Sequence, residues 1–332
     1  TNPISIEETL KTPRTAVATL YSDVIVPDLI DAAAKLPLVR TSAEVGRATN
    51  GAAKAILGKV YLTLNDFQKA EAILQPLTAA PYTYALLPNY NDLFNYAKNE
   101  HHIEYIFDIE YEEGLGGMGS IFTNNFMPNV SALLDFYGIK GGFNESMSPT
   151  RLFVDLWQTG DKRKDVSVLG NGYCCGSWKN PTTGVVTTFA STTSQSYTMK
   201  YVTAVATGGD SRANWKVTRY ADVLLMYAEA LNENGKTAEA LVPLNQVRTR
   251  AGVASYNGLT QAQTRDNIAL ERRFELFFEG HRWFDLVRTG KALSACASVG
   301  MKDYMTIFPV PLNQMQVMNN PALFPQNPGY SY

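Results

Sequence analysis

Apolar positions follow a helical spacing at both ends of this chain and lose it in the middle, which divides the sequence into three zones. From Thr12 to about Leu77 the spacing is three and four residues. TAVATLYSDVIVPDLIDAAAKLP puts Val17, Leu20, Val24, Leu29 and Ala33 near one stripe, with a kink at Pro27, which lacks an interior N–H. GAAKAILGKVYLTL repeats the spacing at Ile56, Val60 and Leu64 and predicts a buried helix face. Asn65-Asp66 then offers a turn and an N-cap for FQKAEAILQPL, which stops near Pro76.

Periodicity returns at about Val217. RYADVLLMYAEALNENG sets Tyr220, Val223, Tyr227 and Leu231 on one face, and Ala221, Ala228 and Ala230 let a neighbouring helix approach. Gly235 suits the left-handed position that ends such a helix, and Thr237 is placed to cap the next. That second helix, AEALVPLNQVRTRAG, presents Leu241, Leu244 and Val247, bends at Pro243 and ends at Gly252.

Between these zones, roughly 81–216, turn formers dominate. IEYIFDIEY reads as a strand, with Ile103, Tyr105, Phe107 and Ile109 alternating against Glu104, Ile106, Asp108 and Glu110. PTRLFVDLWQTG is a short helix. GLGGMGS, FYGIKGGFN, GNGYCCGSW and ATGGDSRAN read as loops, and long irregular stretches within a folded domain tend to be functional surface.

The two helical ends can be superposed. KAILGKVYLTLNDFQKAEAIL from Lys54 matches RYADVLLMYAEALNENGKTAEAL from Arg219 when Asp66 is set on Asn234 and Ala70-Glu71-Ala72 on Ala238-Glu239-Ala240. Such hairpins look like tetratricopeptide units, which bury their apolar faces only by stacking.

Composition narrows the function classes. With 29 basic and 31 acidic residues and a pI of about 6.0, the chain has no basic face for nucleic acid. No run of about 18 apolar residues predicts a membrane span, and TNPISIEETLKTPRTAV lacks the pattern of a signal peptide. The adjacent Cys174 and Cys175 and the distant Cys296 form no metal-binding C-x-x-C; they read as ordinary thiols, with a disulfide left open. Three histidines, two of them His101-His102, assemble no zinc site, and no cofactor is expected.

Several strings together resemble the SusD/RagB-like glycan-binding lipoproteins of Bacteroidetes. They are RYADVLLMYAEALNENG, LNQVRTRAGV, ERRFELFFEGHRWFDLVRTG and the closing FPVPLNQMQVMNNPALFPQNPGY, with GRATNGAAKAILGKVYL and PTRLFVDLWQTGDKRKD in the expected order. The resemblance implies a mostly α fold: a tetratricopeptide-like helical-repeat scaffold with an irregular, loop-rich ligand face and little β structure. It implies one domain over 1–332, with scaffold at about 12–80 and 217–290, the ligand-facing region at 81–216 and an extended tail at 291–332. It also implies a surface-exposed outer-membrane protein whose lipid anchor lies outside this chain, a glycan ligand and a SusC-like TonB-dependent transporter as partner. Members begin with a lipid-modified Cys and a further helical segment; neither precedes Thr1, so the chain reads as a C-terminal fragment rather than a natural short form. A tetratricopeptide-type scaffold that binds a peptide or protein partner is the alternative.

Catalysis is poorly supplied. Glu271, Glu275 and Glu279 lie at i, i+4 spacing on one helix face, whereas glycoside hydrolysis places its carboxyl groups on opposite sides of the scissile bond. An ion-pair network with Arg272, Arg273, Arg282 and Arg288 explains the column better, and Phe274, Phe277, Phe278, Trp283 and Phe284 read as core. Gly114 to Gly119 satisfies G-x-G-x-x-G, but Glu112 and Glu113 would repel a pyrophosphate and SIFTNNFMPN does not read as a helix. Asp161 to Asp165 reads as a solvated helix end. Ligand binding is expected of loop aromatics, because sugar C–H faces stack on flat rings while hydroxyls need polar groups nearby. Trp178 with Tyr173, Tyr137 with Phe143 and Asn144, and Tyr111 are the candidates; Trp157 is assigned to packing and Trp215 is undecided.

Overall fold

The computed structural model describes residues 5–41, 43–96, 100–127, 134–135, 137–142, 147, 149–168, 177–179, 186–188 and 197–331. The chain forms two compact units, Leu29–His281 and Thr1–Asp28 with Arg282–Tyr332. It is mostly α. Among the described residues six helices reach eight residues: α1 (Val26–Lys35), α2 (Asn50–Thr63), α3 (Phe67–Leu74), α4 (Tyr220–Glu233), α5 (Thr237–Ala251) and α6 (Gln261–Glu275).

In the larger unit, α2–α3 and α4–α5 are the two predicted hairpins. Asp66 caps α3 by accepting from the Lys69 N–H, and Asn65 takes the left-handed turn that the hairpin requires. Asn234, its counterpart, donates to the Phe67 carbonyl and to Glu71, so the second hairpin is bonded to the first at their turns. α4 packs on α3, α5 and α6, and its buried face includes Ala221, Ala228 and Ala230. Gly252 ends α5 in the left-handed conformation.

Three local expectations fail. In α2, Ile56 and Val60 are half-buried and Leu64 is exposed; the buried face includes Ala52, Ala55, Gly58 and Leu62. Small side chains outrank large ones there because a Cβ on Gly58 would fall inside the Leu74 side chain. Thr237 does not cap α5, since its hydroxyl donates instead to Asn232. Before α1, Tyr21–Ile25 winds as a π-helix, with the Val26 N–H reaching the Tyr21 carbonyl. A π turn holds an extra residue, which breaks the three- and four-residue spacing, and Val17, Leu20 and Val24 are all exposed. Pro27 follows directly, where an α turn would need the N–H it lacks.

The middle zone is sparse in regular structure. Strand β1 (Tyr105–Ile109) pairs antiparallel with β4 (Trp215–Arg219), and β2 (Ser177–Lys179) with β3 (Val186–Thr188). Arg151–Val154 is the predicted short helix, with Phe153 and Trp157 buried against Phe274.

The smaller unit closes its tail on itself instead of extending it. Gln326 bonds both the N–H and the carbonyl of Val310, Asn327 donates to the Phe308 carbonyl, and the Tyr330 hydroxyl donates to Ile307. A Cβ on Gly329 would overlap the Tyr304 ring, which packs edge-on to Tyr330 at 5.0 Å. Here Trp283 is half-buried and Phe284 exposed, so Phe284 is not core. Arg282–Arg288 is too short a helix to bury both faces.

Candidate functional site

The loop-rich zone is tied to the scaffold by buried charge. Along β1 and the two residues before it, Glu104, Ile106 and Asp108 are buried, whereas Ile103 and Ile109 are exposed. This inverts the usual reading of an alternating strand, and its cause lies far away in sequence. Glu104 accepts from Arg219 at 2.8 Å and from Arg250 at 3.0 Å, and Asp108 from Lys216 at 3.2 Å.

The carboxylate column of α6 and the turn after it is the centre of this network. Arg163 reaches Glu271 at 2.6 Å, Glu275 at 3.0 Å and Asp161 at 2.7 Å. Arg219 bonds Glu275 at 2.5 Å and Glu279 at 2.8 Å, Arg248 bonds Glu271 at 2.7 Å, and Arg250 also meets Glu275. Lys200 bonds Glu279 at 2.6 Å. Together with Glu104, Asp108 and Lys216, all twelve of these side chains (six carboxylates and six bases) are buried, so the charges balance where water cannot screen them.

The column is therefore structural, as expected, and it draws Arg163, Lys200, Arg219, Arg248 and Arg250 from segments outside its own helix. Arg272 instead bonds Asp222 at 2.7 Å, Arg273 lies over the Phe153 ring, and Arg288 bonds Asp285. Asp161 and Arg163 are buried, so the run from Asp161 to Asp165 is not a solvated helix end. Burial would raise Glu275 and Glu279, but the surrounding guanidinium and ammonium groups reverse it; Glu279 is held at about 2. Burial pushes Lys200 down to about 8 despite Glu279. His281 is pushed down to about 4 by burial, against the pull of Asp222, with Lys59 adding to the burial effect 2.9 Å from Nδ1.

Above this base lies an aromatic array that the sequence did not single out. Trp215 stacks on Tyr201 at 5.8 Å and 9°, and Phe122 sits 5.0 Å from Trp215. Tyr111, one of the predicted site residues, meets Phe122 edge-on at 5.6 Å. Tyr111, Phe122 and Trp215 are each half-buried, and Met118 and Ile121 are exposed. Gly280 makes room for Trp215, since a Cβ there would lie 2.7 Å from the indole. The Gly114–Gly119 loop is held at one end by Gly114 N–H donating to Asp210. A five-residue helix, Phe122–Phe126, follows it where none was expected.

The other predicted residues divide. Tyr137 packs against a separate cluster of Met127, Leu134, Ile139, Tyr197 and Val205, so it does not join Tyr111 in the array. Trp178 lies in β2, paired with Thr187 of β3, and not in a loop. Tyr173, Phe143 and Asn144 lie outside the described residues, as do Cys174 and Cys175; Cys296 is half-buried. No group of three metal-ligating side chains occurs among the described residues, and no helix there is long and apolar enough to cross a membrane.

Comparison with known proteins adds the lineage. The sequence profile of the SusD family matches residues 89–330. SusD-like protein P2 of Formosa agariphila is 29% identical over 310 residues, covering 84% of this chain and 59% of that protein. SusD-like protein P25 of the same organism is 27% identical, covering 97% and 66%. The chain thus spans about three fifths to two thirds of the length of these relatives. Among solved structures, a SusD superfamily protein from Bacteroides vulgatus superposes with a TM-score of 0.76 at 25% identity, covering 97% of this chain and 71% of the other. A laminarin binding SusD-like protein superposes with a TM-score of 0.73 at 29% identity, covering 92% and 68%.

Proposed function

The chain belongs to the SusD family, and from that membership we propose that it binds oligosaccharide or polysaccharide at the cell surface without cleaving it. In this reading it passes the glycan to a SusC-like TonB-dependent transporter, and a lipid anchor outside this chain holds it at the outer membrane. It acts as one domain with the ligand face at 81–216.

The observation that carries the reading is the half-exposed array of Tyr111, Phe122 and Trp215 on a loop-rich zone fastened by buried charge. Flat rings held at fixed angles match the C–H faces of sugars, and a rigid base lowers the ordering cost of binding. Trp178, Tyr173, Tyr137, Phe143 and Asn144 are assigned to the same ligand surface. The described carboxylates nearest to a hydrolase pair, Glu271, Glu275 and Glu279, are each enclosed by cationic side chains, which leaves no face for a scissile bond between them. Laminarin is the first glycan to try, since a relative 29% identical binds it.

Native affinity gels containing a panel of soluble polysaccharides test the proposal with the wild type, Trp178→Ala and Trp215→Ala. Retardation by at least one glycan, reduced in the variants, is the expected result. Unretarded wild type across the panel would sink the sugar reading, and unchanged retardation of a folded variant would remove that tryptophan from the site.

A further inference from the structure

Resting on the glycan-binding reading, we infer that Asn124 is a positioning residue: its side chain clasps two glycine loops together and thereby sets the segment 137–142 relative to the helix that carries Phe122. Asn124 is buried in the short helix Phe122–Phe126. Its Nδ2 donates to the carbonyls of Lys140 at 3.0 Å and Gly142 at 2.6 Å, while its Oδ1 accepts from the Gly209 N–H at 3.0 Å. One amide thus bonds three backbone groups on two loops. Only a primary amide offers two donors and an acceptor from one short side chain.

The loops themselves fit only as glycines. Gly141 has a φ of +82°, and a Cβ on Gly208 would lie 2.8 Å from the Gly141 Cα. Beside this contact the Lys140 N–H donates to Val205 at 2.8 Å, and the Val205 N–H donates to Gly138 at 3.1 Å. Tyr137 stands at the start of the clasped segment and packs against the cluster to which Val205 belongs.

The same helix also holds the aromatic array. Phe122 is a member of it, and the Thr123 hydroxyl donates to the Tyr201 carbonyl at 2.6 Å beneath Trp215. Three consecutive residues therefore join the array (Phe122), its support (Thr123) and the loop pair (Asn124). Loss of the clasp frees the loops relative to the rings, and a ligand spanning both must then order them on binding.

Asn124→Asp keeps the shape but replaces the amide NH2, with its two donors, by one carboxylate oxygen facing two carbonyls. Gly208→Ala opens the same contact from the other side. Hydrogen exchange read by mass spectrometry over 137–142 and 202–209, together with laminarin affinity, tests the inference. Both variants should exchange at least tenfold faster in these two segments, with exchange over 220–251 unchanged, and should bind laminarin at least tenfold more weakly while folded. For Asn124→Asp, affinity should recover in part near pH 5, where a protonated carboxyl again donates, while the wild type stays flat over that range. Unchanged exchange in the folded variants, or faster exchange with full affinity, would overturn the clasp. Faster exchange in a protein whose wild type binds no glycan would uphold the clasp and sink the sugar reading instead.

Discussion

Replacing Arg219 with methionine tests whether buried charge or the number of ion pairs holds the loop-rich zone to the helices. Arg219 bonds Glu104, Glu275 and Glu279, and it also donates to the Glu275 carbonyl. Methionine fills much of the same volume, so the main change is electrostatic. The network then holds six carboxylates against five bases, all buried. Leaving a buried charge uncompensated costs about 3–5 kcal/mol, a large share of a domain's total of roughly 5–15 kcal/mol. Adding Glu275→Gln removes the excess. In that double variant Glu104 keeps Arg250, Glu279 keeps Lys200, and Arg163 keeps Asp161 and Glu271. The Glu275 carbonyl keeps Tyr90 and Lys200 as donors. The double variant has lost more ion pairs than the single one, yet it should be the more stable by about 1 kcal/mol or more. Urea unfolding followed by circular dichroism measures both. If the double variant loses as much as the single or more, pair count governs the network and the charge-balance argument is wrong.

Two further outcomes follow from the same core. An exposed imidazole titrates near 6.5, whereas His281 in the folded protein is held at about 4. The unfolded state therefore takes the proton first, so this stability is complete above pH 6.5 and is lost as pH falls toward 4. From pH 7.5 to pH 5.0 the His281 share of the loss should be about 2 kcal/mol, seen as a fall in the urea midpoint that His281→Gln reduces by that share; His102, pushed down to about 3 by burial, contributes to the fall that remains. Glu279, held at about 2 against an ordinary 4.5, adds its own loss only below pH 4.5. Gly58→Ala should cost about 1–3 kcal/mol, because its Cβ meets the buried Leu74; an unchanged melting temperature would mean that α2 and α3 can separate without loss.

The helical scaffold was legible because local chemistry and packing agree there: small-residue faces, an Asp cap and glycines in left-handed turns. The closing string of the chain was also legible, since its Gln, Asn, Gly and Tyr each serve one contact within the same short segment. What escaped was decided by distant partners. Glu104 and Asp108 point inward because Arg219, Arg250 and Lys216 arrive from more than 100 residues away. For the same reason the charge run at Asp161 looked solvated, and the glutamate column was given neighbouring arginines as partners. The candidate site was legible only in part. Tyr111 lies in the array, but Phe122 and Trp215 carry no pattern that separates a surface ring from a core ring. Trp178 was read as a loop residue because a three-residue strand bounded by glycine and proline has no periodicity to detect.

Binding without turnover is tested by one calorimetric titration. Soluble laminarin is titrated into the protein, and the same sample is then assayed for newly formed reducing ends. Saturable heat, weakened in Trp215→Ala and Trp178→Ala, with no release of reducing sugar, is the predicted result. Saturable binding accompanied by steady release of reducing ends would contradict the non-catalytic account, and absence of heat with laminarin and every other glycan tried would contradict the binding site itself.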